Sequence, residues 1–173
     1  MQITVKYEAT FEGVKNLLQA VKLFGRSTQR KEWDPQWSEL KQLELDEEKS
    51  SELYRVVIKA PIPFVWDRDN IMRTYIVKDG DKKIWFLART ADHPDYPVID
   101  VKDNSTKDKK IRVVAYISSC FEMIGETTMK YTSYIKNPRA GEMPSIGQGM
   151  MAKSIPKKIL ESYRKALTKV QWE

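Results

Sequence analysis

Two residue types that carry much metal and thiol chemistry are almost missing from this chain, which has one histidine, His93, and one cysteine, Cys120. A single cysteine excludes an internal disulfide and fits a reducing compartment, so the reading is cytoplasmic. One residue of each type also excludes the usual zinc sites and most Cys/His nucleophile pairs. No metal and no cofactor is therefore expected. Long hydrophobic runs are missing too. None approaches the ~18 residues that a membrane span needs, and Met1-Gln-Ile-Thr-Val-Lys-Tyr-Glu has no signal-peptide core. There is no internal repeat, no low-complexity segment and no mark of a second domain. Residues 1–173 thus read as one domain, large enough to build a core without staples.

What the chain does have is charge: 31% of residues are charged, with a net charge of +6. That excess favours acidic partners, either nucleic acid or an anionic membrane surface, although solubility alone also accounts for it. No nucleic-acid motif and no Gly/aromatic pattern accompanies the charge, so no nucleic-acid partner is expected.

In chain order, Ile3, Val5 and Tyr7 alternate with polar residues as in a half-buried strand. Thr10 is placed to cap a helix whose apolar face is Phe11, Val14, Leu17, Leu18, Val21 and Leu23, ending near Gly25. Ser27 to Trp33 reads as a second short helix, stopped at Asp34-Pro35. Strands then dominate: Trp37 to Leu45, Leu53 to Lys59, Asn70 to Val77, Lys83 to Thr90, Ile111 to Met123 and Thr127 to Ile135. Asp79-Gly80 is a strong hairpin signal, and a long polar connection spans Asp92 to Lys110.

The last stretch opens with turn chemistry at Asn137-Pro138 and becomes helical from Ser145. Met151, Ile155, Ile159, Ser162, Ala166 and Val170 form a narrow stripe, opposed by Lys157, Lys158, Arg164, Lys165 and Lys169. Gly147 and Gly149 weaken its first turn, and Pro156 removes an internal hydrogen bond. Such a helix either covers a core or acts as a lid. Six successive strands make a strongly curved sheet, and a long helix in its concave face leaves an apolar space wherever the helix stands off.

Three ordered segments give this pattern a family likeness. They are Arg30-Lys-Glu-Trp-Asp-Pro, then Lys59-Ala-Pro-Ile-Pro-Phe with Arg68-Asp69, then Asn137-Pro-Arg-Ala-Gly-Glu-Met-Pro-Ser with Pro156 beyond. Together they resemble the START family of lipid-transfer domains, related to the steroidogenic acute regulatory protein, within the helix-grip superfamily. The resemblance covers about residues 26 to 168. It implies an α+β helix-grip fold, with a curved antiparallel sheet of about seven strands around a long C-terminal helix. The family's usual N-terminal helix and first two strands have no counterpart. Many members place an arginine in the cavity on the strand after Arg-Asp. That position is Thr74 here, and Arg73 is one residue off, on the opposite face.

The resemblance implies a non-enzymatic carrier or sensor of a lipid, a phospholipid or a sterol. It would act as a monomer in transient contact with an anionic membrane surface, peripherally associated, without a cofactor. Candidate wall residues are Met72, Thr74, Ile76, Val113, Ala115, Ile117, Met129, Tyr131 and Ser133. Met150, Met151, Ile155 and Ile159 would form the lid side. Each of these equally suits a filled core. Trp33, Trp37, Trp66 and Trp85 fit core or surface anchors better than ligand-stacking residues, His93 fits a structural loop role, and Cys120 an inert one. The basic helix face and Lys102, Lys107, Lys109 and Lys110 suit an anionic surface, or simply solvent. The alternative is a helix-grip enzyme of cyclase or hydrolase type using a cavity carboxylate, with Glu52, Glu122 and Glu126 the candidates. The hairpin at Lys78 to Lys83 and the helix front from Ser145 to Met151 are expected to cover the mouth together.

Overall fold

The computed structural model describes residues 3–59, 67–97, 110–139 and 145–172. Strand β1 (Ile3–Phe11) follows the expected alternation but runs on through Thr10 and Phe11. Gly13 then turns the chain at φ +78°, a conformation that a Cβ disfavours. Helix α1 (Leu17–Gly25) begins only after Asn16, whose side chain accepts a bond from the Gln19 N–H at 3.1 Å. The expected cap at Thr10 is therefore replaced by Asn16. Phe11 instead pairs with Met129 in the sheet, where its ring is buried.

Helix α2 (Ser27–Trp33) stops before Asp34-Pro35, as the sequence suggests. Strands β2 (Trp37–Asp46), β3 (Ser51–Ile58), β4 (Asp67–Lys78) and β5 (Lys83–Thr90) follow. The single strand expected from Ile111 to Met123 is two pieces, β6 (Lys110–Arg112) and β7 (Val114–Met123). β6 pairs parallel with the start of β4, and Val113 donates its N–H to the Asp69 carbonyl at 3.1 Å. Strand β8 (Met129–Arg139) and helix α3 (Ser145–Leu167) complete the chain. The main path of the sheet is antiparallel in the order β1-β8-β7-β5-β4-β3-β2. This is the α+β helix-grip fold.

The register sorts the inner face into rungs, and their side chains change size along the strands. At one end lie Phe11, Met129 and Met123, then Tyr131, Phe121 and Ile84, then Ser133, Ser119, Phe86 and Ile76. This end is filled with rings. Phe24 of α1 stacks edge-on against Phe86, Phe121 and Tyr163, with ring centroids 5.9, 5.4 and 5.2 Å away. Tyr163 of α3 also meets Phe11 at 5.1 Å, and its hydroxyl donates to the Ala20 carbonyl at 2.7 Å. Further along, the middle strands carry smaller groups: Thr74, Ala88 and Ile117, then Thr90 and Ala115.

Helix α3 packs on β1 and on both shorter helices. β8 leaves the sheet at Arg139 and α3 begins at Ser145, so the helix front starts at the small-residue end. Its rear reaches the ring-filled end, where Arg164 donates to the Thr10 carbonyl at 3.4 Å.

Two expectations follow from the packing. A Cβ on Gly25 would stand 2.7 Å from the buried Phe86 ring, so Gly25→Ala forces that ring to shift. The variant should lose about 1–3 kcal/mol in chemical denaturation, as an overpacked core does. Burial also raises the phenols of Tyr54, Tyr131 and Tyr163, and pushes that of Tyr7 up to about 12. Unfolded tyrosines ionise near 10, so above that pH the unfolded chain releases protons first. The contribution of these tyrosines to stability is complete below about pH 10 and is lost as pH rises through about 12. In an ultraviolet titration, part of the tyrosinate signal should appear only together with loss of near-UV circular dichroism. Full ionisation with that signal intact would show the rings to be open to water.

Candidate functional site

The expected wall residues come together on the inner face. Met72, Thr74 and Ile76 share one face of β4, Ala115 and Ile117 one face of β7, and Met129, Tyr131 and Ser133 one face of β8. Val113 joins them at the break between β6 and β7. They do not play one part. Met129 and Tyr131 belong to the ring-filled end, and Ile159 is half-buried against the same core. Met72, Thr74, Val113, Ala115 and Ile117 line the small-residue end. Met150, Met151 and Ile155 lie in α3, but their side chains fall outside the described residues.

Polar groups are set into this apolar floor. Ser119 and Ser133 share a 2.8 Å hydrogen bond, and Ser119 Oγ lies 3.4 Å from the Tyr131 hydroxyl. Thr90 Oγ1 accepts the Ala115 N–H at 2.8 Å, which pins β7 where its register shifts. Thr74 donates to the Glu52 carbonyl at 3.4 Å.

The buried charges sit along the flank formed by α2, β3 and β4. Arg30 bonds Asp34 at 3.0 Å, and its guanidinium lies 4.7, 5.6 and 5.0 Å from the Phe24, Trp33 and Trp37 ring centroids. Arg26 bonds Glu47 at 3.0 Å and the Ser51 carbonyl at 3.4 Å. On β4, Arg68 and Asn70 share the inner face with Met72, opposite Ile58 and Val56 of β3. They are 7% and 5% exposed. Desolvation lowers the pKa of Arg68, and the Asp67 charge partly offsets this. Sequence reasoning did not place either residue on the inner face. The signal was strand parity, which places them two and four positions before the expected Met72.

Parity puts Asp69 on the other face. There it is gripped by Arg55 at 2.9 Å and Arg112 at 2.8 Å, and Arg112 also donates to the Tyr96 carbonyl at 3.1 Å. Arg55 and Lys41 lie over the Tyr96 ring at 5.0 and 5.4 Å. This network fixes the start of the connection after β5 to the outer face of the sheet.

Two of the nominated carboxylates have partners within the fold, and the third is exposed. Glu52 is fully buried, but its oxygens accept from the Ser27 N–H at 3.0 Å, the Ser27 hydroxyl and Gln42 Nε2 at 2.7 Å. Glu122 pairs with Lys83 at 3.7 Å on the outer face, and Glu126 is exposed in the β7–β8 turn. Trp33 and Trp37 are core residues, and half-buried Trp85 donates to Asp79 at 3.1 Å on the outside. His93 accepts the Asp95 N–H at 3.2 Å within its loop. Cys120 is half-buried, its thiol pushed up chiefly by burial. Among the described residues no group of side chains could hold a metal ion, and no helix is long and apolar enough to cross a membrane.

The hairpin does not lie where the mouth was expected. Lys78 and Lys83 flank a turn with Gly80 at φ +72°, and Lys82 accepts the Met123 N–H at 2.8 Å. That is the ring-filled end, opposite the front of α3. An open groove of about 330 Å³ lies elsewhere, lined by Lys31, Glu32, Trp33, Asp34, Trp37 and Lys59 among others. Trp66, Lys102, Lys107 and Lys109 lie outside the described residues, as do Pro61, Pro63 and residues 140–144 of the family-like segments; the Lys110 side chain is likewise not described.

No family model and no curated protein matches this chain. Solved structures do. Human STARD10 is similar at 18% identity and a TM-score of 0.77, over 96% of this chain and 63% of its own. The human StAR-related lipid transfer protein 5 is similar at 15% identity and a TM-score of 0.76, over 95% of this chain and 74% of its own. A fragment of the STAR-related lipid transfer protein from Xanthomonas axonopodis is similar at 18% identity and a TM-score of 0.72, over 95% of this chain and 85% of its own. The chain thus spans less than two thirds of the length of STARD10, and what it shares with these proteins is a START-like fold.

Proposed function

We propose that this chain binds a lipid in an apolar space between the inner sheet face and the front of α3, and carries or senses it without catalysing a reaction. The observation that carries the reading is the fall in side-chain size along the inner face. Ile76, Phe86 and Phe121 lie on strands crossed by α1, whose Phe24 meets Phe86, Phe121 and Tyr163 of α3, whereas Thr74, Ala88 and Ala115 lie further along the same strands. Small apolar groups beneath a long helix suit an acyl chain or a sterol better than a filled core. The similar human and bacterial proteins are lipid transfer proteins by name, which fits the same reading. Glu52 gives the enzymatic alternative no support, because its three hydrogen bonds leave it no role as a base.

Movement between membranes needs little driving force, since the tail passes from one apolar medium to another and lid opening sets the rate. Lys157, Lys158, Arg164 and Lys165 of α3, and Lys169 just beyond it, are exposed, and such a face suits transient contact of the monomer with an anionic surface. Protein purified gently from its native host should carry lipid by mass spectrometry. Delipidated protein should gain about 2.7 kcal/mol of stability at a free lipid concentration of roughly 100 Kd. Absence of bound lipid, with no melting shift across a lipid library, would sink the reading.

The front of α3 is the gate in this scheme. Gly147 and Gly149 are both inside the helix, and Pro156, buried in its interior, removes one hydrogen bond between the front and the packed rear. Replacing both glycines with alanine should favour the closed helix by about 1 kcal/mol per site. Lipid exchange between vesicles should slow while equilibrium affinity changes little. Unchanged exchange with the helix intact would mean that the ligand enters elsewhere.

A further inference from the structure

We propose that the open edge of β1 pairs antiparallel with β1 of a second copy of this chain, across a two-fold axis at Tyr7. The inference is independent of what the apolar space holds.

The sheet ends in two edge strands, β1 and β2, and they are built differently. β2 shifts its register between Trp37 and Glu39 and again between Gln42 and Glu44, and it carries exposed Glu39, Lys41 and Glu44. Breaks and charges of this kind protect an edge from added strands. β1 has no such break. Its nine residues pair with β8 one by one, from Ile3 opposite Asn137 to Phe11 opposite Met129. Among the described residues no strand lies on its other side. Arg164 of α3 reaches the Thr10 carbonyl at 3.4 Å, so that carbonyl is open to a donor from outside the ladder. Alternate residues of a strand turn their N–H and C=O the same way, and Lys6 and Glu8 therefore present theirs to the open edge as well.

The side chains select the partner. Thr4, Lys6, Glu8 and Thr10 are exposed on the outer face, whereas Val5, Tyr7 and Ala9 are half-buried on the inner face. Residues opposite each other in an antiparallel pair share a face, so only a few registers are open to a self-pairing of β1. Centring it on Lys6 sets two ammonium groups against each other, and centring it on Glu8 does the same with two carboxylates. Centring it on Val5 or Ala9 leaves part of the strand unpaired. Centring it on Tyr7 sets Lys6 of each copy opposite Glu8 of the other, Thr4 opposite Thr10, and Val5 opposite Ala9. Tyr7 is also the midpoint of the strand, so this register alone pairs β1 over its whole length.

Lys6 and Glu8 already lie 3.2 Å apart within one strand, and Lys130 stands 3.8 Å from Glu8. In the proposed pairing their side chains alternate in sign around a square, and each carboxylate gains a second strand's ammonium. Val5, Tyr7 and Ala9 gain cover on the inner face. An edge without this order of charges is mismatched, which makes the partner a second copy. The interface is isologous and closes at two chains. It buries one strand edge per chain, so the pairing is weak and stays in exchange with the monomer.

Sedimentation equilibrium of the full chain from about 1 μM to about 1 mM should show the mass rising from one chain toward two. Amide exchange at Lys6 and Glu8 should slow over the same range, while that of β2 stays constant. Lys6→Glu or Glu8→Lys alone should weaken the dimer about tenfold, because each sets like charges opposite at both symmetric contacts. An equimolar mixture of the two variants should pair within about threefold of wild type, since each chain offers the charge that the other lacks. Starting from +6, both variants stay net positive, so bulk attraction does not explain that rescue. A chain that remains monomeric to about 1 mM overturns the proposal. So does a dimer that the single reversals leave unchanged or that the mixture fails to restore, because another surface then holds it. Should the variants not fold, wild-type exchange decides: rates at Lys6 and Glu8 that ignore protein concentration overturn the edge pairing. The lipid reading stands or falls apart from all of these outcomes.

Discussion

Tyr163 joins the last helix to both earlier helices and to β1, one end of the sheet order. Its ring lies against Phe11 of β1, Phe24 of α1 and Trp33 of α2, and its hydroxyl closes on the Ala20 carbonyl. Beside it, Ile159, Leu160 and Leu167 pack the rear of α3 on the core, whereas the front of the helix carries two glycines. Fixing the rear firmly lets the front differ. One long helix can then serve as a wall at one end and as a moving part at the other, because Pro156 loosens the coupling between them.

The same asymmetry shows in the sheet. Large rings collect where α1 crosses, so that Gly25 is forced to be small for Phe86 to fit. Small residues collect where no described ring descends from above. Several of the polar and charged groups near that second region are held by named partners: Thr90 by the Ala115 N–H, Thr74 by the Glu52 carbonyl and Asp69 by Arg55 and Arg112. Among the described residues, only the Arg30 guanidinium lies over three rings, which gives the fold a polar corner beside α2.

Much of this was legible in the chain. The Asp79-Gly80 turn, the helix from Ser27 to Trp33 and the start of α3 at Ser145 all rest on local chemistry and stand where the sequence puts them. The start of α1 was misjudged because Thr10 is a good cap in isolation, whereas the strand pairing of Phe11 with Met129 depends on residues far away in the chain. The break at Val113 was invisible for a similar reason: Ile111 to Met123 is uniformly strand-like, and only β4 decides where pairing changes direction. In the site, period-two alternation grouped Met72, Thr74 and Ile76 correctly. It was not carried back to Arg68 and Asn70, because a run of four polar residues reads as a solvent-facing segment until its register with Val56 and Ile58 is known.

The pairing of β1 with β8 sets the order of events during synthesis. Ile3 to Phe11 emerge more than a hundred residues before their partners, Asn137 to Met129. Until then β1 has no ladder to join, and Phe11 has neither Tyr131 nor Tyr163 to pack on. Contacts so distant along the chain make for slow closure and a partly built sheet with its apolar face open. Lys6 and Glu8, exposed on the waiting strand, disfavour pairing with a wrong edge in the meantime. The sheet therefore closes as one late event, and a ribosome that stalls before β8 is complete leaves behind a chain with two unpaired edges and half a core.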